Sequence, residues 1–207
     1  MAPILVCPAA NFRPRLNHQP PAISTEMSFL RTSLLRTVRT PSPSVRTLTT
    51  LDPLLYTASA TSTGSRASGA SSSEEGNIAA DMGLPKEMGG AKGPRGGHSN
   101  PEQLFGMAYS TCFLSALGAV HGIQSPTLKA LPKSTSVRAL VSIGKSPKGV
   151  PEGFLLGVEL EIVRGPLMKV GLNEEAMVKL VKAAHEMCPY SRATKGNIEV
   201  EVRLVDH

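Results

Sequence analysis

The sequence lacks several features that mark common classes of protein. It contains no tryptophan, aromatic residues make up only 4% of its 207 residues, and cysteine occurs three times. Three cysteines do not form the disulfide framework of a small secreted protein. No apolar run approaches the roughly 18 residues that span a bilayer, so we expect no membrane span. The remaining composition, 41% hydrophobic and 18% charged, is that of a globular protein.

The positive charge is concentrated at one end of the chain. The formal net charge is +6, and residues 1–50 carry +5 of it, with six arginines, no lysine and Glu26 as the single acid. The rest of the chain carries only +1. Because this nearly neutral body lacks a basic surface for phosphates, we expect no nucleic-acid partner.

The first 50 residues have the pattern of a targeting segment. They are rich in Arg, Ser, Thr and Pro, and from Met27 onward apolar residues share one helical face: Phe29, Leu30, Leu34 and Val38. An Arg-rich, Ser-rich and acid-poor amphipathic segment is typical of a mitochondrial import signal. We therefore predict a targeting extension over 1–50, removed on import into the matrix, and one domain over 51–207. A disordered basic tail on a cytoplasmic protein is the alternative, and Met27 offers a second start site.

The most informative segment runs from residue 99 to about residue 120. Ser99 with Glu102 three residues later has the pattern of a capping box, and Pro101 is tolerated in the first turn. No charge follows Glu102, so the segment predicts a helix that is apolar nearly all round and therefore buried. We predict that Gly122 ends this helix.

Composition and period-two alternation predict the strands of the domain. They lie at 54–63, 77–82, 137–143, 156–162 and 198–204, with loops at 64–69 and 83–98 and a hairpin-like connection at 144–153. A second helix begins after Asn173, carries one apolar stripe that includes Cys188, and stops at Pro189. Strands grouped around two apolar helices indicate the α+β class.

Cys112 and Cys188 are the candidates for chemistry, whereas Cys7 lies in the extension. Cys112 lies in the middle of a helix without a neighbouring charge, where a free cysteine is most often a small buried hydrophobe. An apolar setting also raises the pKa of a thiol, so Cys112 needs a cation from elsewhere in the fold to be reactive. The C-terminal end of a helix disfavours a thiolate at Cys188, which suits a thiol that attacks a sulfenic acid rather than a peroxide.

The residues alone leave other functions open. Cys112 and Cys188 could bind a metal with His121 and His185, although only His185 and Cys188 have a close ligand spacing. A Cys–His hydrolase lacks a group that would orient the pair. Two inert core thiols of a structural protein are a further alternative.

Two motifs surround the two cysteines. The first is Asn-Pro-Glu-Gln-Leu-Phe at 100–105 with Tyr-Ser-Thr-Cys-Phe at 109–113. The second is Cys-Pro-Tyr-Ser-Arg-Ala-Thr-Lys-Gly-Asn-Ile at 188–198. Both resemble the cysteine motifs of the organic hydroperoxide resistance family. Segments 55–58 and 63–66 resemble the family's N-terminal strand and its arginine-bearing turn. The likeness runs from about residue 51 to residue 207.

This resemblance implies an OsmC-like α+β fold, with antiparallel sheets around two central apolar helices in an intertwined homodimer. It implies a cysteine-based peroxidase that reduces alkyl or fatty-acid hydroperoxides, with Cys112 as the peroxidatic thiol and Cys188 as the resolving thiol. Arg66 would stabilise the thiolate, and Glu102 would hold Arg66 with paired hydrogen bonds. No metal or prosthetic group is implied; an external dithiol, carried by a lipoyl-bearing protein, would restore both thiols.

The alternative within the same superfamily is a redox sensor or stress-binding protein without turnover. Three departures from the family pattern bear on the site: Met107 stands where small residues are usual, Ser65 replaces a glycine before Arg66, and segment 83–98 is slightly long.

The spacing of Glu102 and Cys112 poses a geometric problem. Ten residues on a straight helix correspond to about 15 Å of rise and about 80° of rotation. Glu102 therefore does not reach its own Cys112 unless the helix bends near Gly106. The alternative, which we favour, is that Arg66 and Glu102 of one subunit serve Cys112 of the other.

Overall fold

The computed structural model describes residues 51–76, 78–90, 98–149 and 151–206. The predicted extension, with Cys7 and Met27, lies outside the described residues. The elements in chain order are β1 (Ala60–Ser65), β2 (Ser68–Ser73), β3 (Ala79–Gly83), a 3₁₀ turn (Lys86–Met88), α1 (Pro101–Gln124), β4 (Val137–Lys145), β5 (Phe154–Val163), α2 (Arg164–Lys169), α3 (Glu174–Met187), α4 (Pro189–Thr194) and β6 (Val200–Val205).

The strands form two three-stranded sheets. The first has the order β1-β2-β3 with antiparallel neighbours throughout, and the second has the order β4-β5-β6. In the second sheet β6 pairs with β5 in parallel, with Val202 opposite Leu160, so this sheet is mixed. Helices α1 and α3 pack together, and α1 also lies on β4. The α+β class with two sheets and two core helices is confirmed, whereas the parallel pairing of β6 with β5 departs from the antiparallel sheets that were expected.

The first sheet differs from the sequence prediction in its strand boundaries. The strand predicted at 54–63 forms only at β1, and the one predicted at 77–82 forms at β3. The segment predicted as a loop at 64–69 contains a two-residue turn and the start of β2. Serine and glycine have weak strand preferences, so β2 gave no signal of its own. It forms because backbone hydrogen bonds to β1 and β3 hold it on both sides.

Helix α1 begins one residue later than the capping pattern predicted. The cap is Asn100 rather than Ser99, and its side chain accepts a hydrogen bond from Gln103 N at 2.9 Å. Gln103 Oε1 in turn accepts from Asn100 N at 3.0 Å, which completes the capping box. The helix also continues through Gly122 and ends at Gln124. It ends there because the next residue, Ser125, precedes a proline, and a residue before proline is disfavoured in the helical conformation.

The body of α1 is half buried, not buried all round. Tyr109, Phe113 and Leu117 have no exposed surface and form part of the core, whereas Met107 is 62% exposed on another face.

Among the described residues, α1 is the one helix whose length and composition would suffice to cross a membrane, which corrects the expectation that no apolar run approaches this length. Its contacts with α3 and β4 identify it as a core helix.

We predict that the capping box contributes measurably to stability. Replacing Asn100 with Ala removes the acceptor for the Gln103 amide, which should lower the free energy of unfolding by about 1 kcal/mol. Ser99→Ala is the matched control, because Ser99 forms hydrogen bonds with its backbone but none with its side chain among the described residues. Urea unfolding measures both variants. Equal effects of the two substitutions would contradict the assignment of Asn100 as the cap.

Candidate functional site

Two thiols meet where α1 crosses the end of α3. The Sγ atoms of Cys112 and Cys188 lie 3.5 Å apart, although 76 positions separate them in the sequence. Cys188 has no exposed surface, whereas Cys112 is partly accessible. A disulfide would need the sulfurs to approach by only about 1.5 Å.

Cys188 owes its position to the junction between two helices. Its extended backbone (φ −60°, ψ 123°) ends α3, and Pro189 occupies the first position of α4. The prediction that the second helix stops at Pro189 is confirmed, because α3 ends at Met187. The short helix α4 that follows was not predicted; a proline is tolerated in the first turn of a new helix. The turn of direction points Cys188 at α1.

The surroundings of Cys112 favour the neutral thiol. Burial raises the pKa of Cys112, a hydrogen bond from the Tyr190 backbone N–H lowers it, and the nearby Cys188 raises it further. The net direction is upward, and Arg66 is not among the groups that act on this pKa. Among the described residues, a single chain thus brings the two thiols together without a cation that lowers the pKa of Cys112.

The candidate cation lies in the hairpin between β1 and β2. Arg66 is the first residue of the two-residue turn and forms an ion pair with Glu102 on the first turn of α1. Ser65 does not disturb this turn: its Oγ accepts hydrogen bonds from the Ala67 and Ser68 amides, both at 3.3 Å. Gly64, which lies on β1 opposite Gly69 of β2, has φ +77°, a conformation that favours glycine.

The ion pair leaves two buried polar atoms without a partner. Among the described residues, no group is hydrogen-bonded to Arg66 Nε or to Glu102 Oε2. Buried polar atoms are hydrogen-bonded in the great majority of cases. One donor and one acceptor at this pair are therefore available to a further group.

An apolar cavity of about 520 Å³ lies beside Cys112. Its walls come from the first sheet and from one face of α1; they include Ile78, Ala80, Leu104, Met107, Ala108 and Thr111. Such a cavity suits an apolar organic molecule, since apolar groups gain by leaving water.

The structure forms two pairs and does not join them. Within the described residues, no hydrogen bond or ion pair connects Cys112 or Cys188 with Arg66 or Glu102, and neither charged residue lines the cavity beside Cys112. Helix α1 runs unbroken from Pro101 through Gly106 to Gln124. Glu102 instead faces a separate open groove of about 1050 Å³.

Sequence reasoning missed a hydroxyl pair next to the thiols. Tyr109 Oη donates a hydrogen bond to Ser191 Oγ at 3.0 Å, and both residues are buried. The signal was available, because Tyr109 precedes Cys112 by three residues and Ser191 follows Cys188 by three. This spacing alone does not show that the two hydroxyls meet, because 82 residues separate Tyr109 from Ser191.

The metal-ligand hypothesis gains no geometric support from the part of the chain that the structure describes. Those residues contain no group of three or more His, Cys, Asp or Glu side chains that could hold an ion. His121 instead bonds the Lys129 backbone oxygen at 3.0 Å, and His185 lies beside the Phe113 ring.

An α+β fold that holds two thiols within 3.5 Å of each other beside an apolar cavity defines a candidate thiol redox protein. The comparisons with known proteins agree with this class. A family model described as OsmC-like protein matches residues 93–203. The organic hydroperoxide resistance protein of Xanthomonas axonopodis pv. citri is 40% identical over 153 residues, which cover 74% of this chain and 96% of that protein.

Solved structures show the same relationship. An organic hydroperoxide resistance protein from Elizabethkingia anophelis is 39% identical, with a TM-score of 0.61 over 75% of this chain and 99% of that one. OhrB of Bacillus subtilis is 34% identical, with a TM-score of 0.59 over 73% of this chain and all of the other. The chain therefore belongs to the OsmC-like family, among the organic hydroperoxide resistance proteins.

Proposed function

We propose that this protein is a thiol peroxidase that reduces organic hydroperoxides to alcohols. The observation that carries the proposal is the 3.5 Å separation of Cys112 Sγ and Cys188 Sγ beside an apolar cavity. The accessible thiol meets the substrate, and the buried thiol waits behind it. Relatives named for organic hydroperoxide resistance support the same substrate class.

The reaction we propose has three balanced steps. The Cys112 thiolate attacks the terminal peroxide oxygen, the O–O bond breaks, and the alkoxide leaves as an alcohol after taking a proton, so that Cys112 becomes a sulfenic acid. Cys188 then attacks the Cys112 sulfur, the S–O bond breaks, water leaves and a disulfide forms. A dithiol reduces that disulfide by exchange and becomes oxidised itself. The sum is hydroperoxide plus dithiol giving alcohol, water and a cyclic disulfide.

We further propose that the active site is shared between two copies of the chain. Among the described residues, no cation of its own subunit lowers the pKa of Cys112, and Arg66 and Glu102 each keep an unpaired buried atom. A two-fold dimer would satisfy both by placing Arg66 of each subunit beside Cys112 of the other. The guanidinium would then lower the pKa of Cys112, because an opposite charge favours the ionised form.

The cavity supports a preference for apolar substrates. Its walls near Cys112 offer side chains of Ile78, Leu104 and Met107, which stabilise an alkyl group but provide little hydrogen bonding for hydrogen peroxide. Met107 also lines the open groove on the other side of α1, so it forms a wall between the two spaces.

Steady-state turnover tests the proposed function. The full-length chain should consume tert-butyl hydroperoxide with dihydrolipoamide as reductant, and it should consume hydrogen peroxide at least about tenfold more slowly at equal concentration. The loss of each peroxide and the formation of tert-butanol are measured together. Stoichiometric oxidation that stops after one equivalent, with dithiol present, would instead favour the redox sensor without turnover.

The reductant and the location of the protein are further proposals. A lipoyl-bearing protein is the dithiol we favour, and the arginine-rich pattern of residues 1–50 supports import into the mitochondrial matrix, where lipoyl groups occur. A fusion of residues 1–50 to a fluorescent protein tests the location. Cytoplasmic fluorescence would favour a basic tail instead. Recycling by free glutathione but not by dihydrolipoamide would contradict the choice of reductant.

A further inference from the structure

The hydroxyl pair next to the thiols repeats their geometry one helical turn away. Tyr109 and Cys112 lie three residues apart on α1, and Cys188 and Ser191 lie three residues apart where α4 begins. Residues at this spacing share a helix face. The sulfur pair at 3.5 Å and the hydroxyl pair at 3.0 Å are therefore two neighbouring links across one contact between α1 and α4.

The hydroxyl link is fully enclosed in the core. Tyr109 has no exposed surface and Ser191 is 1% exposed. The Tyr109 hydroxyl also lies 3.4 Å from Thr194 Oγ1, and Thr194 Oγ1 donates to the Tyr190 backbone oxygen at 2.9 Å. A buried hydrogen bond costs more to break than an exposed one, because water does not replace the lost partner.

Aromatic rings brace the same contact. Phe105 and Tyr109 of α1 lie 5.8 Å apart between ring centroids, and Tyr190 of α4 lies 5.9 Å from the first and 5.6 Å from the second. These separations are typical of favourable aromatic pairs. Cys188, which directly precedes α4, lies 3.5 Å from the Cys112 sulfur, so the position of α4 affects both thiols.

Helix α4 depends on these contacts with α1 because it is short. It spans only the six residues Pro189–Thr194, and a helix of this length is unstable in isolation. Since Cys188 is its N-cap residue, any drift of α4 changes the distance between the two sulfurs.

We propose that Tyr109 and Ser191 are positioning residues for disulfide formation. Their hydrogen bond fixes α4 on α1 and keeps Cys188 within reach of Cys112 after Cys112 has been oxidised. In that step Cys188 attacks the sulfur of the Cys112 sulfenic acid, the S–O bond breaks, the oxygen leaves as water, and the S–S bond forms. This inference rests on the proposed peroxidase function, and it assigns a role to two residues that do not touch the substrate.

The test separates oxidation of Cys112 from closure of the disulfide. Tyr109→Phe removes only the hydroxyl, and Ser191→Ala removes only its acceptor. Ser115→Ala is the matched control, because Ser115 Oγ donates to the Thr111 backbone oxygen within α1. Rapid mixing with tert-butyl hydroperoxide, followed by thiol alkylation and mass spectrometry, gives the rate of each step.

We expect the two variants to oxidise Cys112 at a rate close to that of the unmodified protein, and to close the disulfide up to about tenfold more slowly. The longer-lived sulfenic acid should then give more sulfinic acid at excess peroxide. The double variant should close the disulfide no more slowly than either single variant, because both substitutions remove the same hydrogen bond. The Ser115 variant should match the unmodified protein in both steps.

A peroxide-free measurement keeps this inference distinct from the proposed function. In dithiothreitol buffers the Cys112–Cys188 disulfide of Tyr109→Phe should be easier to reduce by the same factor as its closure is slowed. Unchanged closure and an unchanged redox equilibrium in both variants would overturn the positioning role. Equal slowing of both steps would also overturn it, since that result indicates general loss of structure. Failure of the unmodified protein to react with hydroperoxide would refute the peroxidase proposal, and the redox equilibrium would still decide the role of the hydroxyl pair.

Discussion

Replacing Cys112 with Ser should abolish turnover of organic hydroperoxides, with a loss of at least about three orders of magnitude. A serine hydroxyl remains protonated where a thiolate forms, and it cannot pass through a sulfenic acid and a disulfide. We propose Cys112 for the first reaction because it is the accessible member of the pair and borders the apolar cavity. Consumption of tert-butyl hydroperoxide with a dithiol measures the loss.

The two other cysteines are the controls for this prediction. Cys188→Ser should still consume about one equivalent of peroxide, after which Cys112 remains as a sulfenic acid or oxidises further. Cys7→Ser should leave turnover unchanged, because Cys7 lies in the predicted extension and is not a member of the pair of Cys112 and Cys188. Substantial turnover by Cys112→Ser, or its loss in Cys7→Ser, would contradict the assignment.

Replacing Arg66 with Ala should slow the oxidation of Cys112 by about 10- to 1,000-fold near neutral pH, which is the range expected from losing an adjacent opposite charge. Burial alone raises the pKa of Cys112. Without the cation the thiol therefore stays protonated to higher pH, and the rate should recover as the pH is raised. The pH profile of Cys112 alkylation measures this shift directly.

A second arginine provides the matched control. Arg203 on β6 is ion-paired with Glu159 on β5 and with Glu201 on β6, so Arg203→Ala removes an equal charge from a different part of the fold. It should leave the pH profile in place. Glu102→Gln should act in the same direction as Arg66→Ala, because it removes the carboxylate that holds the guanidinium. An unchanged pH profile in Arg66→Ala would show that another group ionises Cys112.

Mixed subunits decide which chain supplies the arginine. In a dimer of one Arg66→Ala chain and one Cys112→Ser chain, a shared site would combine the intact cysteine of the first with the intact arginine of the second. Random mixing of equal amounts should then restore about a quarter of the unmodified activity. Activity no greater than the sum of the two inactive parents would show that Arg66 serves its own subunit.

Much of the fold follows from patterns in the sequence, because apolar residues recur at regular spacing along the longer strands and helices. The alternation at Val137–Lys145 and Phe154–Val163 predicted the central hairpin, and Asn173 predicted the start of α3. The alternation in β6 predicted which side chains point inward, but it carried no information on strand direction. The parallel pairing of β6 with β5 depends on the path of the intervening helices.

The local errors have a common physical origin. Ser99 and Asn100 are both good cap residues, and backbone geometry rather than residue type decides between them. β2 is held by its neighbours, and α4 is held by its contacts with α1. In each case tertiary contacts outweighed local preference, and a short window of sequence contains no information on those contacts.

The candidate site was predictable to a different extent at each residue. The family motifs pointed to Cys112, Cys188, Arg66 and Glu102, and the structure brings them together as two separate pairs. Helix geometry had already indicated that Glu102 and Cys112 of one chain do not meet. The hydroxyl pair of Tyr109 and Ser191 required the fold, because 82 residues separate its members.

The most direct test of the account is to locate the bond that a hydroperoxide creates. The reduced full-length protein is mixed with one equivalent of tert-butyl hydroperoxide, its remaining thiols are alkylated, and its peptides are analysed by mass spectrometry. The account predicts a disulfide between Cys112 and Cys188, with Cys7 alkylated. Free thiols at both Cys112 and Cys188, with the peroxide unconsumed, would contradict it.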